Sequence, residues 1–387
     1  MVVFYEYIIS FVLAFIVAFS FTPIAKKISF SVGAIDVPKD SRRMHNRPIA
    51  RLGGLAIFAG FIVSLTFGIT CTYLNISGIV PDRQLLGLLA GAVIIVGVGI
   101  VDDIKQLGPK IKLLIQIIAA LTTVLISGTR IVNITNPFVE SGTTQFSDFV
   151  SYPLTIIWIV GVTNAINLID GLDGLAAGVS SISYLSLFFV SLITGDADSA
   201  IITVILAGSA LGFLPYNFNP AKIFMGDTGA TFLGFTLSVV SIQGMLKSYT
   251  ALSIAVPLLV LGLPLFDTLS TIFRRILNRK PIMQADRGHL HHKLIDMGYS
   301  HKQTVLVMYT LSATLGLSAI VLADKGFISA IILVITVAAF VIGGAKYMLE
   351  IDDVKIAEDD KLKEEIVNPI INSQAHGELK VNDRGNP

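Results

Sequence analysis

Long apolar stretches alternate with short polar connections along most of this chain. A helix that crosses a bilayer needs ~20 mainly apolar residues, and about eleven stretches qualify. They lie near 4–27, 53–74, 85–101, 111–128, 151–168, 174–194, 199–215, 229–246, 250–276, 303–323 and 327–348. The first has neither a basic leader nor a small-residue cleavage site, so we interpret it as a retained span. The pattern predicts an all-α, polytopic membrane bundle of about eleven transmembrane helices.

The polar connections on the two sides of the predicted bundle differ in charge. Because consecutive spans alternate sides, the connections near 28–52, 102–110, 169–173, 216–228 and 277–302 share one face, and they carry most of the Lys and Arg. The opposite connections offer only Arg83, Arg130, Lys247 and Lys325. By the positive-inside rule the first face is cytoplasmic. The N-terminus is then outside and the C-terminus inside.

Composition agrees with a membrane protein and excludes other classes. The 387 residues are 53% hydrophobic and only 14% charged, which is far too apolar for an ordinary soluble domain. A formal net charge of +1 offers no global field for nucleic acid. After Glu350 the chain becomes a mixture of acidic and basic residues. We therefore expect a transmembrane domain over 1–349, with the functional residues, and a charged, disordered cytoplasmic tail over 350–387.

Adjacent carboxylates, Asp102 and Asp103, end the third predicted span, with Lys105 beside them and Lys110 and Lys112 following. Two such carboxylates repel each other unless a metal ion, a base or a proton offsets them. The alternative is that both are simply solvated at a helix end.

A polar stripe follows in the fifth span, where Asn164, Asn167 and Asp170 recur every three residues. Such a stripe would face lipid unless it lines a cavity. Asp173 lies between two glycines that permit a tight turn. A buried amide network made only for packing is the alternative reading.

The segment from Asn217 to Gly229 leads into the eighth span with glycines on both sides of Asp227. Glycines let the backbone approach a ligand closely, and the free amides of a helix start suit phosphate. Asp227 could hold Mg²⁺. Phe224 could stack on a base, although aromatic residues near an interface are more often membrane anchors.

Two basic connections complete the predicted site. The one after the ninth span contains His289, His291 and His292 among cations, which fits phosphate binding better than Zn²⁺, with a purely topogenic loop as the alternative. The first connection carries further candidates for substrate binding, which on charge alone are only a topology signal: Arg42, Arg43, His45 and Arg51. Carboxylates for metal and cations for phosphate on one face are the parts that phosphoryl transfer between a nucleotide and a lipid needs.

With these residues in view, the chain resembles the polyprenyl-phosphate N-acetylglucosamine-1-phosphate transferases, whose superfamily also contains phospho-N-acetylmuramoyl-pentapeptide-transferase. The resemblance extends over about residues 20–305. Five ordered motifs carry it: Arg42-Arg43-Met44-His45 with Arg51-Leu52-Gly53-Gly54, Asp102-Asp103 with Lys105, Asn164 to Gly174, Phe224 to Gly229, and His289-Leu290-His291-His292.

The resemblance implies a role for each group of residues. Asp227 would bind Mg²⁺, or Mn²⁺ as an alternative, with Asp102 and Asp103 near the metal and Asp102 or Asp103 as a base. Asn164, Asn167 and Asp170 would line the same cleft, and Asp173, Asn217 and Phe224 would hold uridine. Lys105, His289, His291 and His292 would meet the diphosphate or sugar.

The implied reaction transfers N-acetylglucosamine-1-phosphate from its UDP donor to polyprenyl, expected undecaprenyl, phosphate, releasing UMP at the cytoplasmic face of the plasma membrane. This would be the first membrane step of an envelope glycan of the teichoic acid or O-antigen type. His-Leu-His-His, rather than three consecutive histidines, favours N-acetylglucosamine over phospho-muramoyl-pentapeptide, the first alternative. A transporter is the distant alternative, but its polar sites should lie near mid-membrane. A homodimer is left open.

Overall fold

The computed structural model describes residues 4–37, 48–74, 79–135, 143–247, 254–281 and 288–326, together with 328, 329, 331 and 335. Its helices are α1 (Phe4–Val32), α2 (Gly54–Tyr73), α3 (Arg83–Lys105), α4 (Pro109–Ser127), α5 (Asp148–Ile169), α6 (Leu175–Thr194), α7 (Ala197–Asn217), α8 (Gly226–Lys247), α9 (Ala255–Val260), α10 (Gly262–Leu277), α11 (Leu290–Asp296) and α12 (His301–Lys325). Two antiparallel pairs of short strands accompany them: β1 (Ile35–Asp36) with β2 (Ile49–Ala50), and β3 (Asn133–Thr135) with β4 (Thr143–Gln145).

The predicted all-α, polytopic membrane architecture is confirmed. Within the described ranges, eight helices, α1 to α7 and α12, are long and apolar enough to cross a membrane. Helix α8 covers the eighth predicted span. Most of the eleventh predicted span, and the whole predicted tail over 350–387, lie outside the described residues. The twelve helices and four strands of the described ranges belong to one compact unit of the chain, Met1–Ala330.

The ninth predicted span, 250–276, is not one helix. Helix α9 ends at Val260 and α10 begins at Gly262. In a continuous helix the nitrogen of residue 264 would donate to Val260 O, but Pro264 has no N–H. Val260 O instead accepts a hydrogen bond from Ser183 Oγ of α6, at 3.1 Å. The break is therefore stabilised by a neighbouring helix.

Helix α8 lies at the centre of the bundle. Its apolar side chains from Ala230 to Ile242 are almost completely buried, and it packs against α3, α5 and α2. Its polar side chains Thr231, Thr236, Ser238, Ser241 and Gln243 are buried as well, so α8 is enclosed by other helices on all sides. Because α8 begins at Gly226, its amino end delivers Asp227 to one end of the bundle.

Strand β2 and the residues after it connect to the turn before α8. Phe224 N donates to Ala50 O (2.8 Å), while Gly53 N and Gly54 N donate to Phe224 O and Met225 O (3.0 and 2.9 Å). Arg51 lies within this paired segment. The β1–β2 pair is therefore attached to the end of the bundle where α8 starts.

Candidate active site

The amino end of α8 is held by a carboxylate of α3. Asp103 Oδ1 accepts a hydrogen bond from Asp227 N (2.9 Å), and Asp103 Oδ2 accepts from Thr228 N (3.0 Å) and Thr228 Oγ1 (2.6 Å). Negative charge is favourable at a helix start because the first amides are otherwise unpaired. Gly226 has φ of +68°, and a Cβ there would collide with Arg51 O and the Asp103 carboxylate. Asp103 therefore anchors α8 to α3.

Asp102 has different partners from its neighbour. Its Oδ1 accepts from Leu107 N at 2.6 Å, and its Oδ2 lies 2.6 Å from Lys112 Nζ of α4. The same Nζ lies 2.5 Å from Asp227 Oδ2. One ammonium thus joins carboxylates from α3 and α8.

A second cation completes this group. One guanidinium nitrogen of Arg51 lies 3.7 Å from Asp103 Oδ1 and 4.0 Å from Asp227 Oδ1. We call Arg51, Asp102, Asp103, Lys112 and Asp227 the carboxylate cluster. It brings together five residues from four separate parts of the chain, and its three negative charges face two positive ones.

A cavity of about 450 Å³ opens beside the carboxylate cluster. This volume lies in the range of small-molecule sites. Arg51 and Asp227 line it, which connects the cavity to the cluster. Six further predicted site residues line it as well: Asn167, Asp170, Asp173, Asn217, Phe224 and His292.

Asp170 and Asp173 come from the turn between α5 and α6. Removal from bulk water, together with the charges of Asp227 and Asp103, raises the pKa of Asp170 well above its usual range. Asp173 Oδ2 accepts from Asn219 Nδ2 (2.9 Å) and Ala221 N (3.0 Å). Asp173 therefore ties this turn to the segment before α8.

Asn217 strengthens the same link. Its Oδ1 accepts from Gly174 N, and its Nδ2 donates to Ile223 O, both at 3.1 Å. Gly174 has φ of +80°, and its carbonyl accepts from Tyr309 Oη of α12. Since both amide atoms of Asn217 bind the backbone, the geometry gives this residue a framework role in shaping the cavity.

The three histidines differ in their surroundings. His289 Nδ1 lies 2.8 Å from Asp267 Oδ2, whereas His291 is 1% exposed and its two ring nitrogens have no hydrogen-bond partner among the described residues. Burial, and then the nearby His292, lowers the pKa of His291 to about 4. His291 is therefore neutral near pH 7. Only His292 of the three is among the residues lining the cavity.

Two further predicted site residues, Asn164 and Lys105, are described by the structure and do not line the cavity. Asn164 Nδ2 donates to Gln116 Oε1 (2.6 Å) and to Val160 O (2.8 Å), which fits the alternative of a packing network. Lys105 is exposed at the end of α3 and is not among the cavity-lining residues. Arg42, Arg43 and His45 lie outside the described residues. Their predicted roles stay predictions.

The three carboxylates of the cluster differ in which of their oxygens could bind a divalent cation. In the described ranges no group of three or more His, Cys, Asp or Glu is arranged to hold a metal. Both oxygens of Asp103 are occupied by α8. Asp102 Oδ2 and Asp227 Oδ2 already share one cationic group, Lys112 Nζ. Two carboxylates completed by substrate phosphates suit Mg²⁺, so this pair fits such an ion.

Two residues of the site, Lys112 and Asp267, were not predicted as site residues from the sequence. Lys112 stood near the aspartates, but its contact with Asp227 joins positions 115 apart. Asp267 lies in an apolar stretch and is 1% exposed. An ionisable residue within a predicted span is a functional signal, and this signal would have found Asp267.

Comparison with known proteins gives a consistent result. The profile of the family described as glycosyl transferase family 4 matches residues 85–245. A probable undecaprenyl-phosphate N-acetylglucosaminyl 1-phosphate transferase of Bacillus subtilis is 40% identical, over 81% of this chain and 84% of the relative. A decaprenyl-phosphate N-acetylglucosaminephosphotransferase of Mycobacterium tuberculosis is 31% identical, over 76% and 77%. The undecaprenyl-phosphate alpha-N-acetylglucosaminyl 1-phosphate transferase of Escherichia coli is 28% identical, over 78% and 79%.

The matched residues include the centre of the site. Asp102, Asp103, Lys112 and Asp227 all fall between residues 85 and 245. The identity to the Bacillus subtilis relative extends over most of both chains. The chain therefore belongs to glycosyl transferase family 4, the family that the polyprenyl-phosphate N-acetylglucosamine-1-phosphate transferases represent.

Proposed function

We propose that this protein transfers N-acetylglucosamine-1-phosphate from UDP-N-acetylglucosamine to undecaprenyl phosphate and releases UMP. The observation that carries the proposal is the carboxylate cluster beside a polar cavity of about 450 Å³ at one end of an apolar bundle. The names of the relatives from Bacillus subtilis and Escherichia coli support this donor and acceptor. They do not favour muramoyl-pentapeptide transfer or transport.

In the proposed reaction an oxygen of the lipid phosphate attacks the β-phosphorus of the donor. A new P–O–P bond forms, and the bond between the β-phosphorus and the oxygen of UMP breaks. The lipid phosphate is already largely ionised near neutral pH, so positioning and charge neutralisation suffice without a strong base. Arg51 and Lys112 supply fixed positive charge next to the cavity.

Each end of the donor has matching groups in the cavity. Phe224 offers a ring for the uracil base, and the Asp173 carboxylate, with only Oδ2 engaged in the contacts above, offers an acceptor. Asp227 and Asp102 would hold Mg²⁺, which would neutralise the diphosphate charge that grows as UMP departs. His292 also lines the cavity and would contact the sugar phosphate.

We also propose the orientation and setting of the enzyme. Most of the Lys and Arg in the connections lie on the face that carries the site. By the positive-inside rule this face would be cytoplasmic, in a protein that crosses the plasma membrane several times. UDP-sugars are then accessible to the cavity. The lipid-linked product would enter the assembly of an envelope glycan.

The test uses purified protein with undecaprenyl phosphate, Mg²⁺ and UDP-N-acetylglucosamine. We expect UMP and a lipid-linked sugar diphosphate, and no turnover in Asp227→Asn. Asp148→Asn is the matched control, because Asp148 pairs with Arg130 at the opposite end of α5 from the site. Wild-type protein that releases no UMP from any UDP-sugar would overturn the proposal.

A further inference from the structure

Asp267 is an acidic side chain buried within α10. It is 1% exposed, and its neighbours in the chain, Phe266 and Thr268, are uncharged. Both of its oxygens have partners on the segment that contains the histidines. Oδ1 accepts from Leu290 N at 2.7 Å, and Oδ2 lies 2.8 Å from His289 Nδ1. Asp267 therefore binds the backbone and one side chain of this segment at once.

The pairing with Asp267 determines where His289 carries its proton. A carboxylate can only accept hydrogen bonds, so His289 must donate from Nδ1. The other ring nitrogen, Nε2, is then the one left for further contacts. His289 is 6% exposed, so little water competes for this hydrogen bond.

A series of rings connects His289 to the cavity. The rings of His289 and His291 are parallel within 10°, with centroids 5.7 Å apart. The centroids of His291 and His292 are 4.3 Å apart. His291 Nε2 is so close to Gly171 that a Cβ on that glycine would lie 2.6 Å from it. Gly171 and His292 both line the cavity, so the ring series ends at the cavity wall.

The backbone before His289 is fixed by the same helix. Arg274, two turns further along α10 from Asp267, donates from Nη1 to Gly288 O at 2.9 Å. The side chain of Arg275 donates to Pro281 O. Helix α10 therefore holds both ends of the connection that precedes the histidines, and Asp267 makes the contact nearest to the rings.

We propose that Asp267 is a positioning residue: it fixes the tautomer and the ring orientation of His289 and, through the contacts of the His291 ring with its two neighbours, the place of His292 at the cavity. The inference rests on the proposed function and names a residue that serves the donor end of the same site. Substitution of a residue that orients a functional side chain by a hydrogen bond often lowers activity about 10- to 100-fold.

The first test is the Asp267→Asn substitution. An asparagine oxygen can still accept from Leu290 N, but its NH₂ group faces His289 Nδ1 and reverses the donor–acceptor order. We expect kcat/KM for UDP-N-acetylglucosamine to fall about 10- to 100-fold, with the KM for the lipid unchanged and partial recovery in Asp267→Glu. Asp196→Asn is the matched control, because Asp196 is also buried and also accepts from a backbone amide, at Ser199, but on the α6–α7 connection. It should retain wild-type activity.

A spectroscopic test does not depend on turnover. The chain has six histidines, so ¹⁵N-histidine spectra are tractable, and the His289 signals are those lost in His289→Gln. The wild-type protein should carry the His289 proton on Nδ1 at neutral pH, and Asp267→Asn should move it to Nε2. A wild-type ring with a bare Nδ1 overturns the proposal even if no Asp267 variant folds.

A double variant distinguishes a positioning role of Asp267 from a general effect on the stability of the fold. In a His289→Gln background, Asp267→Asn should cause little further loss, because Asp267 acts through that ring. Full additivity of the two losses, or wild-type kcat/KM in Asp267→Asn, would overturn the inference. If the wild-type protein releases no UMP, the proposed function fails, while the tautomer measurement still decides the role of Asp267.

Discussion

Asp102 and Asp103 are adjacent in the chain, yet their carboxylates bind different partners. Asp103 uses both oxygens on the start of α8, whereas Asp102 shares Lys112 with Asp227. The sequence could place both aspartates at a helix end. It could not separate their roles, because the contacts that do so join Asp103 to residues more than 120 positions away.

Asp103→Ala tests the anchoring role at the residue scale. The substitution removes the acceptor of Asp227 N, Thr228 N and Thr228 Oγ1, all of which lie in a buried region. Leaving buried donors unpaired costs about 1–3 kcal/mol, so we expect a clear fall in the unfolding free energy, measured as a lower melting temperature. Asp148→Ala is the control, since it breaks only an exposed ion pair worth about 0–1 kcal/mol. Equal melting temperatures for the two variants would contradict the assignment.

His291 predicts a pH effect on stability. Its pKa in the fold is about 4, below the ordinary 6.5, because burial opposes its charged form. Between these pH values the unfolded chain binds a proton that the folded chain does not, so stability falls as the pH falls from about 6.5 to about 4. His291→Gln, which cannot titrate there, should lose about 3 kcal/mol less over this window. Melting curves at pH 7 and pH 4 measure the difference, and parallel shifts in both proteins would show that His291 does not contribute.

At the scale of helices, close backbone contacts fix where Asp227 stands. A Cβ on Gly54 of α2 would lie 2.2 Å from Gly229 N, and a Cβ on Gly99 of α3 would lie 2.5 Å from Thr228 Cα. These are backbone atoms, so they cannot move aside as a flexible side chain would. Two helices therefore touch the first turn of α8 without intervening side chains.

Gly99→Ala should displace the start of α8. We expect a strong loss of turnover, or of folded protein, because the added methyl group requires α3 and α8 to separate. Gly97→Ala is a close control two residues away on the same helix, since a Cβ there meets nothing within 4 Å. Folded yield by size-exclusion chromatography and UMP release are the measurements. A Gly99→Ala protein as active as Gly97→Ala would show that the helices adapt.

The broken ninth span shows what an apolar pattern cannot give. Pro264 signals that a helix cannot continue smoothly, but hydrophobicity alone favoured one span over 250–276. The hydroxyl that satisfies the freed carbonyl belongs to Ser183 of α6, 77 positions away. Spans that pack regularly, such as α1 to α7, were predictable from the sequence because each depends mainly on its own apolar length.

For the whole molecule, the connections grouped by charge converge on one end of the bundle. Arg51, the α3–α4 aspartates, Asp170, Asp227 and His292 come from five different connections and meet around one cavity. The sequence predicted this convergence from the alternation of sides. It could not predict the hydrogen bond from Asn164 to Gln116, because nothing in the local pattern shows that these two residues pair.

Cysteines introduced at opposite ends of the bundle test which side of the membrane each end faces. Cys71 is the single cysteine, so Cys71→Ser gives a clean background. Ser147 before α5 and Lys280 after α10 are both exposed. A membrane-impermeant maleimide should label Ser147→Cys on intact cells and Lys280→Cys only after the membrane is opened. The reverse pattern would place the site outside the cytoplasm.

The β1–β2 pair acts as a tether for the basic stretch between its strands. Ile35 pairs with Ala50 and Asp36 with Ile49, and Asp36 and Arg51 both line the cavity. Val37 and Pro48 flank the connection 38–47 and are the immediate neighbours of these two strands. The strand pairing therefore holds both ends of this connection together beside the cavity.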